Sequence, residues 1–124
     1  MIYTVTLNPA LDKTVEIPGM ALDTVNRITE MRTDPGGKGI NVSKVIAKLG
    51  GESCAAGILG GGSGKNARKS CSRASPSRRD SASSRGQTRT NLKIIDREGH
   101  TNTDINEPGL TVTDADLDAL LHEL

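Results

Sequence analysis

Apolar and polar positions alternate in short bursts along the first third of the chain. Residues 2–7 (IYTVTL) are β-branched, aromatic and aliphatic, and Asn8-Pro9 ends the run with turn chemistry, so a first strand leading into a loop is predicted. Residues 13–18 (KTVEIP) and 27–33 (RITEMRT) alternate again, with Ile28 and Met31 apolar in the second, as short strands with one solvated face do. After Asp34-Pro35 the period changes. Gly36-Gly37-Lys38-Gly39 is followed by Val42, Val45, Ile46 and Leu49 at helical spacing, and Gly50-Gly51 closes what reads as a helix with one apolar face. Residues 53–59 (SCAAGIL) are a glycine-bounded apolar run with the length of a buried parallel strand.

Farther on, 91–105 contains two strand-like runs around Arg97-Glu98-Gly99-His100, a predicted hairpin. Thr113, with Asp116 three residues later, makes a capping box with Asp in place of the usual Glu, and Leu117, Leu120, Leu121 and Leu124 share one face of the helix it opens. The strand, glycine loop, helix and strand order predicts an α/β fold. The chain ends inside a helical pattern, which is expected of a truncated domain.

Composition alters this picture in one place. The 124 residues carry 16 Lys and Arg against 15 Asp and Glu, with Tyr3 the single aromatic residue, so any core is aliphatic. Eight cations (Lys65, Arg68, Lys69, Arg73, Arg78, Arg79, Arg85 and Arg89) stand between residues 65 and 89 with one carboxylate, Asp80. Residues 65–84 (KNARKSCSRASPSRRDSASS) are Ser/Arg-rich without apolar periodicity, a composition that favours disorder. A basic arm of this kind suits nucleic-acid phosphates, but no aromatic residue interleaves it, and nucleic acid is not expected as a partner. No apolar run or leader pattern marks a membrane segment, and the cytoplasm is the expected compartment. Cys54 and Cys71 give neither metal spacing nor a disulfide framework.

Three motifs carry candidate chemistry. Gly36–Asn41 opens a helix, where bare backbone amides and the helix dipole favour an anion and Lys38 adds a cation. Asp12 follows the first strand, in a loop where α/β sheets place ligand-binding groups, and its carboxylate suits sugar hydroxyls. Arg89, leading into a strand, suits a phosphate. Each alone also fits an ordinary loop glycine, a solvated aspartate or an exposed arginine. Residues 60–65 (GGGSGK) imitate a P-loop, but that motif requires glycine at 59 and Ser or Thr at 66, where Leu59 and Asn66 stand. A dinucleotide reading of 62–67 lacks a following helix of helical composition.

In order, TVTLNPALDKTVEI, Asn26-Arg27, DPGGKGINVSKVIAKLGG, GQTRTNLKIID and TDINEPG resemble the 1-phosphofructokinases of the ribokinase-like PfkB family of carbohydrate kinases. Tagatose-6-phosphate kinases share much of the pattern. The resemblance spans residues 1–64 and 85–124. It implies a ribokinase-like sheet domain with a small β-lid, built from strands within about 13–33 and 91–105, that also forms a homodimer contact. It further implies that Asp12, Gly37 and Asn41 hold the sugar and that Lys38 and Arg89, with Arg27, hold the phosphate of fructose 1-phosphate. ATP and Mg²⁺ serve the full-length enzymes, whose nucleotide pocket and catalytic aspartate fall in a later part that this sequence lacks. The chain by itself is therefore expected to bind neither well and to be inactive, with no catalytic or metal-binding residue of its own. A sugar-phosphate-binding or dimerising protein without catalysis is the other expectation.

The resemblance also implies a helix and strand of ordinary composition over 65–84. Conserved length with altered composition points to a compensated frameshift. Alternative codons overlapping Arg68–Lys69, Ser70–Cys71 and Arg73–Pro76 permit Glu, Leu and Gly-Ile-Pro.

Overall fold

The computed structural model describes residues 2–74 and 79–124, with side chains except those of 68–84 and Glu123. Two sheets organise them. Strands β1 (Ile2–Thr6), β4 (Ser53–Gly60) and β5 (Arg79–Ser84) form a parallel sheet in the order β1-β4-β5. Strands β2 (Ala10–Glu16), β3 (Glu30–Gly36), β6 (Arg89–Asp96) and β7 (Thr101–Asn106) form a mixed sheet in the order β3-β2-β6-β7. Three helices complete the fold: α1 (Lys38–Lys48), α2 (Gly61–Ala74) and α3 (Asp114–Glu123).

Alternation along β4 separates two helix layers. Ser53 points to α1, where Ser43 Oγ lies 3.0 Å from Ser53 Oγ and 2.6 Å from Thr4 Oγ1, a buried hydroxyl trio. Ala56 and Ile58 point the other way, into a core with Leu120 that Leu110, Val112 and Leu117 extend. The capping box of α3 forms: Asp116 N–H donates to Thr113 Oγ1 at 3.2 Å, and Thr113 N–H to Asp116 Oδ2 at 2.9 Å.

Several sequence expectations change. The apolar stripe of α1 turns only in part to the sheet: Ile40 and Ser43 are buried and Ile46 is half-buried, while Val42, Val45 and Leu49 are 50%, 54% and 81% exposed. A short hydroxyl at 43 lets the helix approach β1 and β4 closely. Of the α3 leucines, Leu120 is buried but Leu121 and Leu124 are exposed. Asp12 is not in a loop, because β2 begins at Ala10, held between β3 and β6. Nor does Asp34-Pro35 end β3, which continues to Gly36; β3 is an edge strand, where proline's missing N–H leaves no ladder bond broken.

Over 65–84 the described backbone runs as α2 to Ala74 and as β5 from Arg79, paired in parallel with Ala55–Gly60. Burial of β4 on both sides leaves its second edge in need of a partner, and the ladder overrides composition. Residues 75–78 and all side chains of 68–84, Cys71 included, lie outside the described residues, and so does that part of the Ser/Arg reading.

Candidate functional site

The lid sheet has two unlike faces. Register sets Asp12 beside Asp34 and Asn91, with Asn106 beyond Asn91, and Thr14 beside Arg32 and Lys93, with Asp104 beyond Lys93. Residues of these rows share one face, and that face is polar. The other carries Val15, Ile17 and Ile94, packed with Met20 and Leu92.

Between the polar face and α1 lies an open cleft of about 420 Å³. Asp12, Asn91 and Lys93 line it from the lid, and Asn41 and Lys44 from the helix. Lys44 Nζ donates to the Pro35 carbonyl and, at 3.4 Å, to Asn41 Oδ1. That contact ties α1 to the end of β3.

Asp12 is held in a defined place. Asn91 Nδ2 donates to Asp12 Oδ1 at 3.2 Å, and a Cβ on Gly36 would come within 2.0 Å of Asp12 Oδ2. Glycine at 36 is therefore a steric requirement of the carboxylate's position. The same holds where α1 begins: Gly37, at φ 129°, caps the helix, and a Cβ there would sit 2.6 Å from Thr6 Cγ2. A Cβ on Gly39 would meet the Val5 carbonyl oxygen at 2.8 Å. The bare first turn thus lies directly on the end of β1, without a side-chain cap and without acidic residues. It is an anion-favouring helix start.

Arg89 opens β6 level with Ala10 and Gly36, one row nearer β1 than Asp12. Its Nη2 donates to the Asn8 carbonyl at 3.2 Å, while Asn8 Nδ2 donates to the Pro108 carbonyl at 3.1 Å. Among the described residues, three buried side-chain polar atoms have no hydrogen-bond partner: Thr6 Oγ1, Arg89 Nε and Asn91 Oδ1. A buried polar atom left unpaired costs about 1–3 kcal/mol. All three belong to residues that flank the cleft or the start of α1, so the unsatisfied polarity is concentrated in one place.

Of the six residues expected from sequence, Asp12 and Asn41 line the cleft, while Gly37, Lys38 and Arg89 gather around the start of α1 and the first row of the lid. Arg27 is exposed in the connection between β2 and β3 and does not line the cleft. Sequence reading passed over Asn91, Lys93, Lys44 and Arg32. The first two were within reach, since from Arg89 a strand period of 2 leads to 91 and 93 on the same face. Lys44 and Arg32 join only through tertiary packing.

The glycine loop at 60–64 offers no comparable site. Gly60 N–H donates to Thr88 Oγ1 at 3.0 Å and Ser63 N–H to Gln87 Oε1 at 3.2 Å, so the protein's own side chains occupy amides at the start of α2. Nor does any group of three His, Cys, Asp or Glu suited to a metal ion occur among the described residues. No helix among them is long and apolar enough to cross a membrane.

A polar lid face closing over the glycine-rich start of a helix, beside a parallel α/β sheet, defines a ribokinase-like architecture. The family model for pfkB family carbohydrate kinases matches residues 5–122, and the chain belongs to that family. It is 41% identical over 121 residues to a 1-phosphofructokinase of Rhodobacter capsulatus, covering 96% of this chain and 37% of the relative. Identity to the 1-phosphofructokinase of Xanthomonas campestris pv. campestris is 37%, over 98% of this chain and 38% of the relative. The chain thus corresponds to the N-terminal part of these relatives and spans less than two fifths of their length. Among solved structures, a possible 1-phosphofructokinase of Thermotoga maritima superposes with a TM-score of 0.89 at 40% identity, covering 98% of this chain and 39% of that one. Phosphofructokinase-2 of Escherichia coli, in a complex with substrates and products, superposes at 0.91 with 28% identity, over 98% and 39%.

Proposed function

We propose that this chain carries the sugar-phosphate-binding part of an ATP-dependent kinase that converts fructose 1-phosphate to fructose 1,6-bisphosphate. The observation that carries the reading is the trio of buried, unpartnered polar atoms on Thr6, Arg89 and Asn91 around the cleft. A polyhydroxylated anion would satisfy them. In this reading Asp12, Gly37 and Asn41 receive the sugar, its hydroxyls donating to the Asp12 carboxylate. Lys38 and Arg89 neutralise the phosphate, and Arg27, at the far end of β2 and β3, has no part in it. Tagatose 6-phosphate offers similar chemistry, and the 1-phosphofructokinase relatives favour fructose 1-phosphate.

ATP with Mg²⁺ supplies the transferred phosphoryl group in such kinases, and transfer depends on groups that position the nucleotide and its metal. Among the described residues, the amides at the start of α2 are engaged by Gln87 and Thr88 and leave no free phosphate cradle there. No step through the nucleotide is therefore assigned to this chain, and the 124 residues alone are expected to be inactive. The cytoplasm is the proposed compartment. The exposed Leu22, Val25, Ile28, Met31 and Ile105 of the lid and its β2–β3 connection suit a homodimer contact.

Calorimetric titration of the chain and three variants with fructose 1-phosphate and with fructose tests the site. Arg89→Ala and Lys38→Ala should each weaken fructose 1-phosphate binding by about ten- to a hundredfold, the worth of a charge-assisted contact, with little effect on fructose. Asp12→Ala should weaken both ligands. An Arg89→Ala chain that binds fructose 1-phosphate as well as the parent refutes the assignment.

A further inference from the structure

Asn91 lines the cleft from β6 of the lid, and Asn41 lines it from α1. An asparagine amide offers an acceptor at one end and donor protons at the other, so its neighbours decide which end is left for a ligand. Both neighbours here are charged. Asn91 Nδ2 donates to Asp12 Oδ1 at 3.2 Å, and the reversed amide would set oxygen against a carboxylate. Lys44 Nζ donates to Asn41 Oδ1 at 3.4 Å, and the reversed amide would set N–H groups against an ammonium. In the row of Asp12 the lid therefore offers acceptors, the carboxylate and Asn91 Oδ1, while α1 offers the Asn41 N–H groups as donors. A hydroxyl donates and accepts at once, so it is the group that can meet both walls.

Asn91 Oδ1 is buried and has no hydrogen-bond partner, so Asn106, its register neighbour on β7, does not serve it. A buried acceptor without a donor destabilises a fold, and native proteins rarely keep one without a use. The backbone that carries it is firmly placed, since β6 is paired along this stretch with β2 on one side and β7 on the other. Asp12 is equally constrained, between the Asn91 amide and the bare backbone of Gly36. Because the two side chains meet at 3.2 Å, their remaining acceptors stand close enough to take two neighbouring hydroxyls of one ring.

We propose that Asn91 is a second hydroxyl acceptor of the cleft, its amide oriented by Asp12, and that the pair selects ligands carrying two neighbouring hydroxyls. The inference rests on the sugar-phosphate reading and extends it, naming the residue and the ligand feature that discriminate among sugar phosphates. The other charged groups that line the cleft are Arg32 and Asp34 of β3, Lys93 of β6, Asp104 of β7 and Lys44 of α1. Substitution at 91 leaves all five in place, so a change there reports on the Asp12 pair.

Calorimetric titration of the chain with fructose 1-phosphate and its monodeoxy analogues tests this. In the parent, loss of either of two neighbouring hydroxyls should weaken binding by about tenfold. Asn91→Leu should weaken fructose 1-phosphate by a similar factor and abolish the penalty for one of those two analogues, whereas Asp12→Ala abolishes it for the other. Asn91→Asp keeps the shape and an acceptor but sets a second carboxylate against Asp12. Its affinity relative to the parent should be lowest near about pH 8 and recover toward about pH 5, where the two carboxylates share a proton that restores the donor. Taking the ratio to the parent at each pH cancels titration of the ligand's phosphate. The proposal is overturned by an Asn91→Leu chain that binds like the parent or keeps both penalties, and by an Asn91→Asp ratio that does not change with pH. Should Asn91→Leu fail to fold, judged by circular dichroism, the isosteric Asn91→Asp decides through that ratio. A parent that does not bind fructose 1-phosphate refutes the sugar-phosphate reading itself. Binding that is sensitive to Arg89→Ala but indifferent to both changes at Asn91 refutes this inference alone.

Discussion

In the lid sheet, β2 and β6 are paired on both edges, and the carboxylate of Asp96 at the end of β6 fastens the neighbouring loops; in the β1-β4-β5 sheet, among the described residues, only β4 has two partners, and Tyr3, Val5, Val42 and Val45 of β1 and α1 are about half exposed. Asp96 accepts four backbone N–H groups, from Gly19, Met20, Glu98 and Gly99, at 2.9–3.0 Å. One side chain thereby joins the turn of the β6–β7 hairpin to the loop after β2. At that end the lid is fastened by its own polar groups, whereas Arg89 Nε and Asn91 Oδ1 at the cleft end are unpartnered. The other sheet relies on burial, with Ala56 and Ile58 packed against Leu120 while Tyr3 and Val5 are about half exposed. A folding unit and a binding unit need not coincide: the cleft is bounded by the lid and by α1, whereas the two sheets keep separate apolar clusters.

The largest expected effect falls on the dependent sheet. Ile58 is fully buried against Leu120, and Ile58→Ala should lower stability by about 2–5 kcal/mol through lost transfer energy and the cavity left behind. Urea unfolding followed by circular dichroism measures it. A loss well under about 1 kcal/mol would mean that the core around α3 is loosely formed, and the contrast with the lid would then be sharper still.

A second test acts on the lid. The amides of Gly99 and then Gly19, followed by those of Met20 and Glu98, hold the Asp96 carboxyl below its ordinary range, against the opposing effect of burial. A depressed folded-state value means that the contribution is fully present above the unfolded value of about 3.9 and is lost as pH falls through the folded one. Lid amides should exchange faster as pH drops below about 4, after correction for intrinsic rates, and Asp96→Asn should remove much of that dependence while exposing the lid amides already at pH 7. Equal loss in both sheets on Asp96→Asn would break the comparison by showing one cooperative unit.

The smallest effect concerns the cap of α3. Thr113→Ala removes the acceptor for the Asp116 N–H and should cost about 1 kcal/mol. Its signature is local, a shift in exchange within α3 that leaves the Asp96 loops unchanged. Spread of the effect into the lid would show that α3 supports both sheets.

Local patterns decided much of this protein from sequence. Strand-like composition bounded by turn residues announced β1 and the β6–β7 hairpin, helical spacing and flanking glycines announced α1, and Thr113 with Asp116 announced the start of α3, because each signal is complete within a few residues. The ordered motifs made the family legible, and with it Asp12, Gly37, Lys38, Asn41 and Arg89 as candidates. Other features required the tertiary structure. Periodicity reveals that α1 has an apolar stripe but not which side meets the sheet, and Ser43 rather than Val42 or Val45 proved to be the inward residue because a close approach to Thr4 and Ser53 admits only a small side chain. Pairing with β3 and β6 extended β2 back from Lys13 to Ala10, directly after the turn-like Asn8-Pro9. The ladder with β4 drew Ser/Arg-rich residues into β5, against their composition. Asn91 meets Asp12 across 79 positions of sequence, a contact that no local pattern encodes, since long-range pairing is chosen by the sum of all the contacts that the fold makes at once.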